Sequence, residues 1–281
     1  MRKSFLVFLI LLACYVALQV PLTRCMAQRP LVVRLGYIPD GRVLRVALGD
    51  QRLLASEFSM LRLMLYFGSL VESWKRQVLV PPEYFNMYRT AEAAIKLDPY
   101  NMDAYYFSQA AFTWEVGHAG DVNRLLKYGM KYRHWDWYLP YFIGFNAAYF
   151  LKDFKTGADY MRQAAELSGN ALLARLSARY FYESGRSELG IAFLRSMIGR
   201  ERDPKVRQAY QLRLQALERV HQIEKAVAEF RQRYQRLPKR IEELVALGLL
   251  PDLPADPYGG TFFLDASGRV RSNSNFSKIR Q

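Results

Sequence analysis

The sequence predicts an all-α solenoid of helix pairs, with a short N-terminal β-hairpin and a C-terminal helix plus β-hairpin cap. Three observations predict it. From about Leu53 to Arg236 apolar residues recur at three- and four-residue spacings, the period of amphipathic helices. Within that span four segments resemble one another at a regular interval. After Leu253 the chemistry changes to paired prolines, paired glycines and an alternating run, "LPADPYGGTFFL". The expected boundaries are 1–27 for a signal peptide or membrane anchor, 30–50 for the hairpin, 53–236 for the repeats and 237–281 for the cap.

The chain has 281 residues and a formal net charge of +14. Half the composition is apolar and aromatics are abundant, which excludes a disordered chain. The basic balance implies an acidic partner. Arg2 and Lys3 precede "FLVFLILLACYVALQV", an uncharged run after a basic pair, which is the pattern of an export signal. Cleavage after Ala27 and retention as an anchor both remain open. Either outcome predicts a body on the periplasmic side of the inner membrane, and this removes nucleic acid from the expected partners. Cys14 and Cys25 both lie in or beside the signal. The exported body then has no thiol for a disulfide, a metal or a nucleophile.

The N-terminal hairpin is predicted over Leu31–Asp50, where two β-rich runs flank "IPDG". Pro fixes φ, Asp bonds its own backbone and Gly accepts positive φ. Next come the repeats, whose four better units begin at Ala104, Leu139, Ala171 and Arg207, 32 to 36 residues apart. An aromatic or Leu stands eleventh in each (Trp114, Tyr149, Phe181, Leu217). A turn or polar residue stands fifteenth (His118, Asp153, Gly185, His221), and a small residue twentieth (Asn123, Ala158, Gly190, Ala226). A looser unit precedes them, Leu53–Gly68 and Tyr84–Leu97, closing on "LDPYN".

These spacings resemble the tetratricopeptide repeat family, in which helix pairs stack and the first helix of each pair lines a peptide-binding groove. The resemblance implies groove positions at Tyr105, Ser108 and Phe112, then at Ile143, Ala147 and Phe150. It implies Arg175, Arg179 and Tyr182 in the third unit and Gln208, Gln211 and Gln215 in the fourth. The groove would run from aromatic, through basic, to amide-rich. Residues 195–240 add thirteen Lys and Arg against five Asp and Glu, either a solvated face or an attraction to anionic surfaces.

At the C-terminus, "KRIEELVALGLL" places Ile241, Leu244 and Val245 on one helical face, with Gly248 as the stop. Asp256-Pro257 and Gly259-Gly260 set a turn, and Thr261–Ser274 alternates as a small hairpin around Ser267-Gly268. The pattern "LP…IEELV…G.L…P.DPYG" is similar to the tail of major pseudopilins of type II secretion, over about 30 residues. That family's prepilin cleavage site is missing. The tail is expected to cap the last repeat, with a docking role as the other reading.

Nothing in the sequence marks a reaction. There is no HExxH, GxSxG or phosphate-binding Gly loop. His118, His134 and His221 read as loop residues, and Asp136 as a helix cap beside Trp135 and Trp137. The expectation is a non-enzymatic scaffold or adaptor of the bacterial envelope without a cofactor. It would hold an extended segment of an envelope protein, in a secretion, pilus or surface-polymer setting. The rival expectation is a module for acidic polysaccharide or anionic lipid.

Overall fold

The computed structural model describes residues 8, 11–19, 21–23, 34–75 and 80–277. It is mostly helical, with one two-stranded antiparallel sheet among the described residues. Near the N-terminus runs an apolar helix, Leu11–Thr23, whose described side chains are all exposed. Leu31–Val33 and the signal's cleavage region lie outside the described residues.

The predicted N-terminal hairpin is not formed. Residues 34–40 are irregular and lead into helix α1, Gly41–Leu48. Asp40 uses its turn chemistry as a cap, its carboxylate accepting from the Arg42 amide at 2.8 Å. Gly41 then lies against the helix Tyr84–Leu97, where a Cβ would stand 2.7 Å from Lys96 Cβ. The run that reads as a second strand therefore docks as a helix. A 3-10 turn, Gly49–Gln51, joins it to α2, Arg52–Lys75. Helices α1 and α2 together form the one described stretch, Gly41–Lys75, long and apolar enough to cross a membrane by length and composition. Its Met60, Leu63, Tyr66 and Leu70 are buried against α3, Tyr84–Leu97, whereas Phe58, Leu61 and Leu65 are exposed.

The "DPYN" closure works as expected. Asn101 caps α4, Met102–Phe107, by accepting from the Ala104 amide at 3.1 Å. Its Nδ2 donates to Ser56 and Glu57, which ties this boundary back to α2. Helix α4 continues as a π-helix, Ser108–Glu115, before α5, Ala119–Met130. Two further neighbouring helices follow, α6 (Tyr138–Tyr149) and α7 (Phe154–Ser168). The next two are α8 (Ala171–Glu183) and α9 (Ser187–Arg200). Each of these three reversals uses a residue at positive φ: Gly117 at 78°, Lys152 at 55° and Gly185 at 70°.

The fourth expected reversal, at His221, is absent. Pro204–Tyr234 is one continuous 31-residue helix, α10. The segment "ERVHQIEKAV" holds no Gly, Asn or Pro to leave the helical region, and it is rich in helix formers. Pro204 opens α10 in its first turn and Asp203 caps it.

Helix α7 packs on both α6 and α8. The approach to α6 runs through Gly144 and Gly157. A Cβ on Gly144 would meet the Met161 backbone nitrogen at 2.9 Å, and one on Gly157 the Ala148 Cβ at 3.0 Å. Beneath this contact Gln109 and Asn146 exchange amide hydrogen bonds of 2.9 and 2.8 Å. Asn146 also donates to Asn123 at 2.9 Å. All three amides are buried.

The tail follows its expected plan in shortened form. Gln235, at φ 55°, ends α10. Helix α11, Ile241–Ala246, precedes strands β1, Phe262–Leu264, and β2, Val270–Ser272, which pair Phe262 with Ser272 and Leu264 with Val270. Ile241, Leu244, Leu250, Tyr258, Val270 and Phe276 join one buried cluster with Tyr182, Tyr210 and Phe230. The tail thus covers an apolar face that α8 and α10 would otherwise expose to water.

Candidate functional site

The first helices of the expected units carry two surface features. One is a run of aromatic rings across α4, its π-helical extension and α6. Tyr106 meets Tyr138 and Phe142 edge-on at 5.8 and 5.9 Å. Phe145 stacks on Tyr149 at 5.3 Å, and Trp114 lies 4.9 Å from Phe150 and 5.8 Å from Tyr149. Trp114 is 55% exposed and Tyr149 51%. Large apolar groups left in water at adjacent positions mark an interaction surface.

The second feature is a cleft of about 420 Å3 between α8, α10 and the tail. Arg175 and Arg179 stand one turn apart on α8 and are exposed. Arg213 of α10 stands between them and the tail, only 8% exposed. Its guanidinium lies 5.0 Å from the Tyr258 ring and 4.9 Å from the Phe276 ring. Its Nη2 donates to the Phe276 carbonyl at 3.0 Å, whereas Nε and Nη1 have no partner. Burial pushes the Arg213 pKa down, and repulsion from Arg179 and Arg175 adds to it. The nearby carboxylate, Asp256, is engaged by the Ser272 and Ser274 hydroxyls and the Tyr258 amide. Leu172, Leu176 and Leu212 complete an apolar wall.

The structure separates the residues expected in the groove. Arg175 and Arg179 are exposed and brought together in the cleft. Gln208, Gln211 and Gln215 are exposed on α10 but do not line it. Tyr105, Ser108, Phe112 and Tyr182 are buried, as are Ile143 and Ala147, and Phe150 is half-buried. These buried positions are corrected to the core. Tyr105 is drawn inward because α5 offers Gly129 opposite its ring, where a Cβ would stand 2.6 Å away, and its hydroxyl donates to the Pro99 carbonyl. Beyond it, the wider π-helical turn shifts the phase, so Ser108 and Phe112 face inward and Trp114 outward. Tyr182 is covered by the tail, with Phe276 at 4.6 Å.

Sequence reasoning missed Arg213 and Tyr106. The signal for Arg213 was present: with Tyr210, Leu217 and Val220 it occupies the inward face of α10, where an arginine breaks the apolar pattern. Tyr106 differs from an expected position by a single residue.

The histidines are dispersed. His118 stacks on Tyr84 at 3.6 Å, His134 meets Trp135 edge-on, and His221 Nδ1 lies 3.7 Å from Glu224. Asp136 acts from two positions before the helix start, accepting from the Tyr138 amide at 3.1 Å and from Arg133. Among the described residues no group of three His, Cys, Asp or Glu is placed to hold a metal.

No family model matches the chain, and neither a curated protein nor a solved structure matches it.

Proposed function

We propose that the protein is a non-enzymatic adaptor of the bacterial cell envelope. It holds an extended segment of a partner protein on the face built from α4, α6 and α8. The helix pairs act as tetratricopeptide-like units, stacked so that their first helices share one surface. The observation that carries this reading is the exposed ring run from Tyr106 to Trp114. Tyr, Trp and Arg are the side chains that most often dominate interfaces. The envelope setting, on the periplasmic side of the inner membrane, is supported by the basic pair and apolar helix near the N-terminus.

A photo-crosslinking aromatic at Tyr149, in the full chain in its native envelope, tests the reading. The expected result is one dominant protein adduct that Tyr106→Ser with Trp114→Ser removes while thermal stability is kept. No adduct, or an adduct indifferent to those changes, overturns it. A second reading, a module for acidic polysaccharide or anionic lipid, is favoured by the arginine cleft alone. It predicts salt-sensitive binding to anionic polymer that Arg175→Glu with Arg179→Glu abolishes.

A further inference from the structure

We propose that the cleft between α8, α10 and the tail is a phosphate-binding site, taking inorganic phosphate or the terminal phosphate of an organic monoester. The inference goes beyond the adaptor reading and holds whichever partner covers the ring run. It shares Arg175 and Arg179 with the polymer reading and adds the ligand class.

Arg213 carries the argument. An arginine only 8% exposed, with Nε and Nη1 unpartnered, is a costly arrangement unless a ligand completes it. The fold had a carboxylate within reach of this region and engaged it elsewhere, since Asp256 takes two hydroxyls and an amide. The rings of Tyr258 and Phe276 and the Phe276 carbonyl account for the faces and Nη2 of Arg213. They leave Nε and Nη1 without a partner, and they do not account for Arg175 and Arg179. Among the described residues neither of these forms an ion pair, and no carboxylate lines the cleft.

Three cations, with the Asp256 carboxylate as the one negative group beside them among the described residues and its oxygens hydrogen-bonded elsewhere, leave an excess of two positive charges for a ligand. A phosphate monoester carries a charge of about −1.5 to −2 near neutral pH and three strong acceptor oxygens. The planar donors of arginine match those oxygens. A monocarboxylate would neutralise only one of the three guanidinium groups. The cleft volume of about 420 Å3 exceeds what the phosphate alone needs, and Leu172, Leu176 and Leu212 offer an apolar wall to whatever carries it.

Titration calorimetry on the full chain in detergent, at constant ionic strength, tests the site with inorganic phosphate, glycerol 3-phosphate and acetate. The expected result is saturable one-to-one binding of at least one phosphate species, with acetate at least tenfold weaker. Arg175→Gln with Arg179→Gln, both exposed positions, should weaken phosphate at least tenfold without changing the melting temperature of the free protein. Arg213→Lys should weaken it as well, since a lysine keeps the charge but not the planar donors. Vesicles of phosphatidylcholine with phosphatidic acid identify the source. Binding to them but not to glycerol 3-phosphate assigns a lipid headgroup, and the converse assigns a soluble phosphate; each supports the site. Unsaturable binding, equal affinity for acetate, or indifference to the double substitution overturns the inference. Phosphate binding without binding of any acidic polymer keeps the inference and removes the polymer reading.

Discussion

Arg213 donates from Nη2 to the backbone carbonyl of Phe276 at 3.0 Å, across 63 residues of sequence. The contact fastens the end of the tail to the middle of α10. Phe276 itself lies 4.6 Å from Tyr182 and 5.9 Å from Tyr258. Arg271 adds an ion pair to Glu183 at 2.6 Å, so the tail is held to α8 as well. Phe276→Ala therefore removes a buried ring shared by both helices. The expected loss is about 3–5 kcal/mol in denaturant unfolding. Limited proteolysis should cut first between α11 and β2. Cleavage unchanged from the wild type would mean that the tail is held by its ion pairs instead.

The two glycines Gly68 and Gly144 both sit inside helices and should respond to alanine in opposite directions. Around Gly68 of α2 a Cβ would meet nothing within 4 Å, and Gly68→Ala should stabilise by about 0.5–1 kcal/mol. At Gly144 the new carbon would stand 2.9 Å from a backbone nitrogen of α7. Gly144→Ala should then destabilise by about 1–3 kcal/mol, because the two helices must separate. Thermal melts of the two variants, side by side, decide it.

The buried amides of Gln109, Asn123 and Asn146 act as one network. Asn146→Leu leaves two buried amides short of a partner, at a cost of about 1–3 kcal/mol each. Gln109→Leu with Asn146→Leu removes the principal pair together and should recover part of that loss. A double-mutant cycle measures the coupling, and purely additive losses would show that Gln109 and Asn146 act independently.

Strong acidification should loosen the hairpin turn. Burial by itself would raise the Asp265 pKa. Hydrogen bonds from the Ser267 hydroxyl, the Arg269 and Ser267 amides and Arg271 Nε outweigh this and hold it at about 2, from an ordinary 3.8. The folded value is below the unfolded one. The stabilisation is therefore present above pH 4 or so and is lost as pH falls toward about 2. The amide resonance of Gly268, followed by NMR, should shift across that window. In Asp265→Asn the same resonance should stay still.

Much of the helical organisation was legible because periodicity survives context. The runs from Tyr84 to Arg200 fall where the apolar spacing puts them, and the reversals at Gly117 and Gly185 use the residue that such turns need. The failures also have particular causes. "IPDG" suits a hairpin turn and a helix cap equally well, and the packing of Gly41 on Lys96 selected the cap. His221 occupied a turn position by alignment, yet its neighbours had no means of leaving a helix. The expected groove failed at Tyr105, Ser108 and Phe112 because one-residue phase errors exchange core and surface, and the π-helical turn introduced one.

The sequence by itself determined that this is a helical chain with a strand-forming tail, an apolar N-terminal segment and a basic third unit. Those properties are local, set by composition, period and turn chemistry. Tertiary structure alone decided which face of each helix meets water. It also brought Arg213 from α10 and Phe276 from the tail against Arg175 and Arg179 of α8. That meeting depends on contacts between residues far apart in the chain, and no local pattern encodes where such elements come to rest.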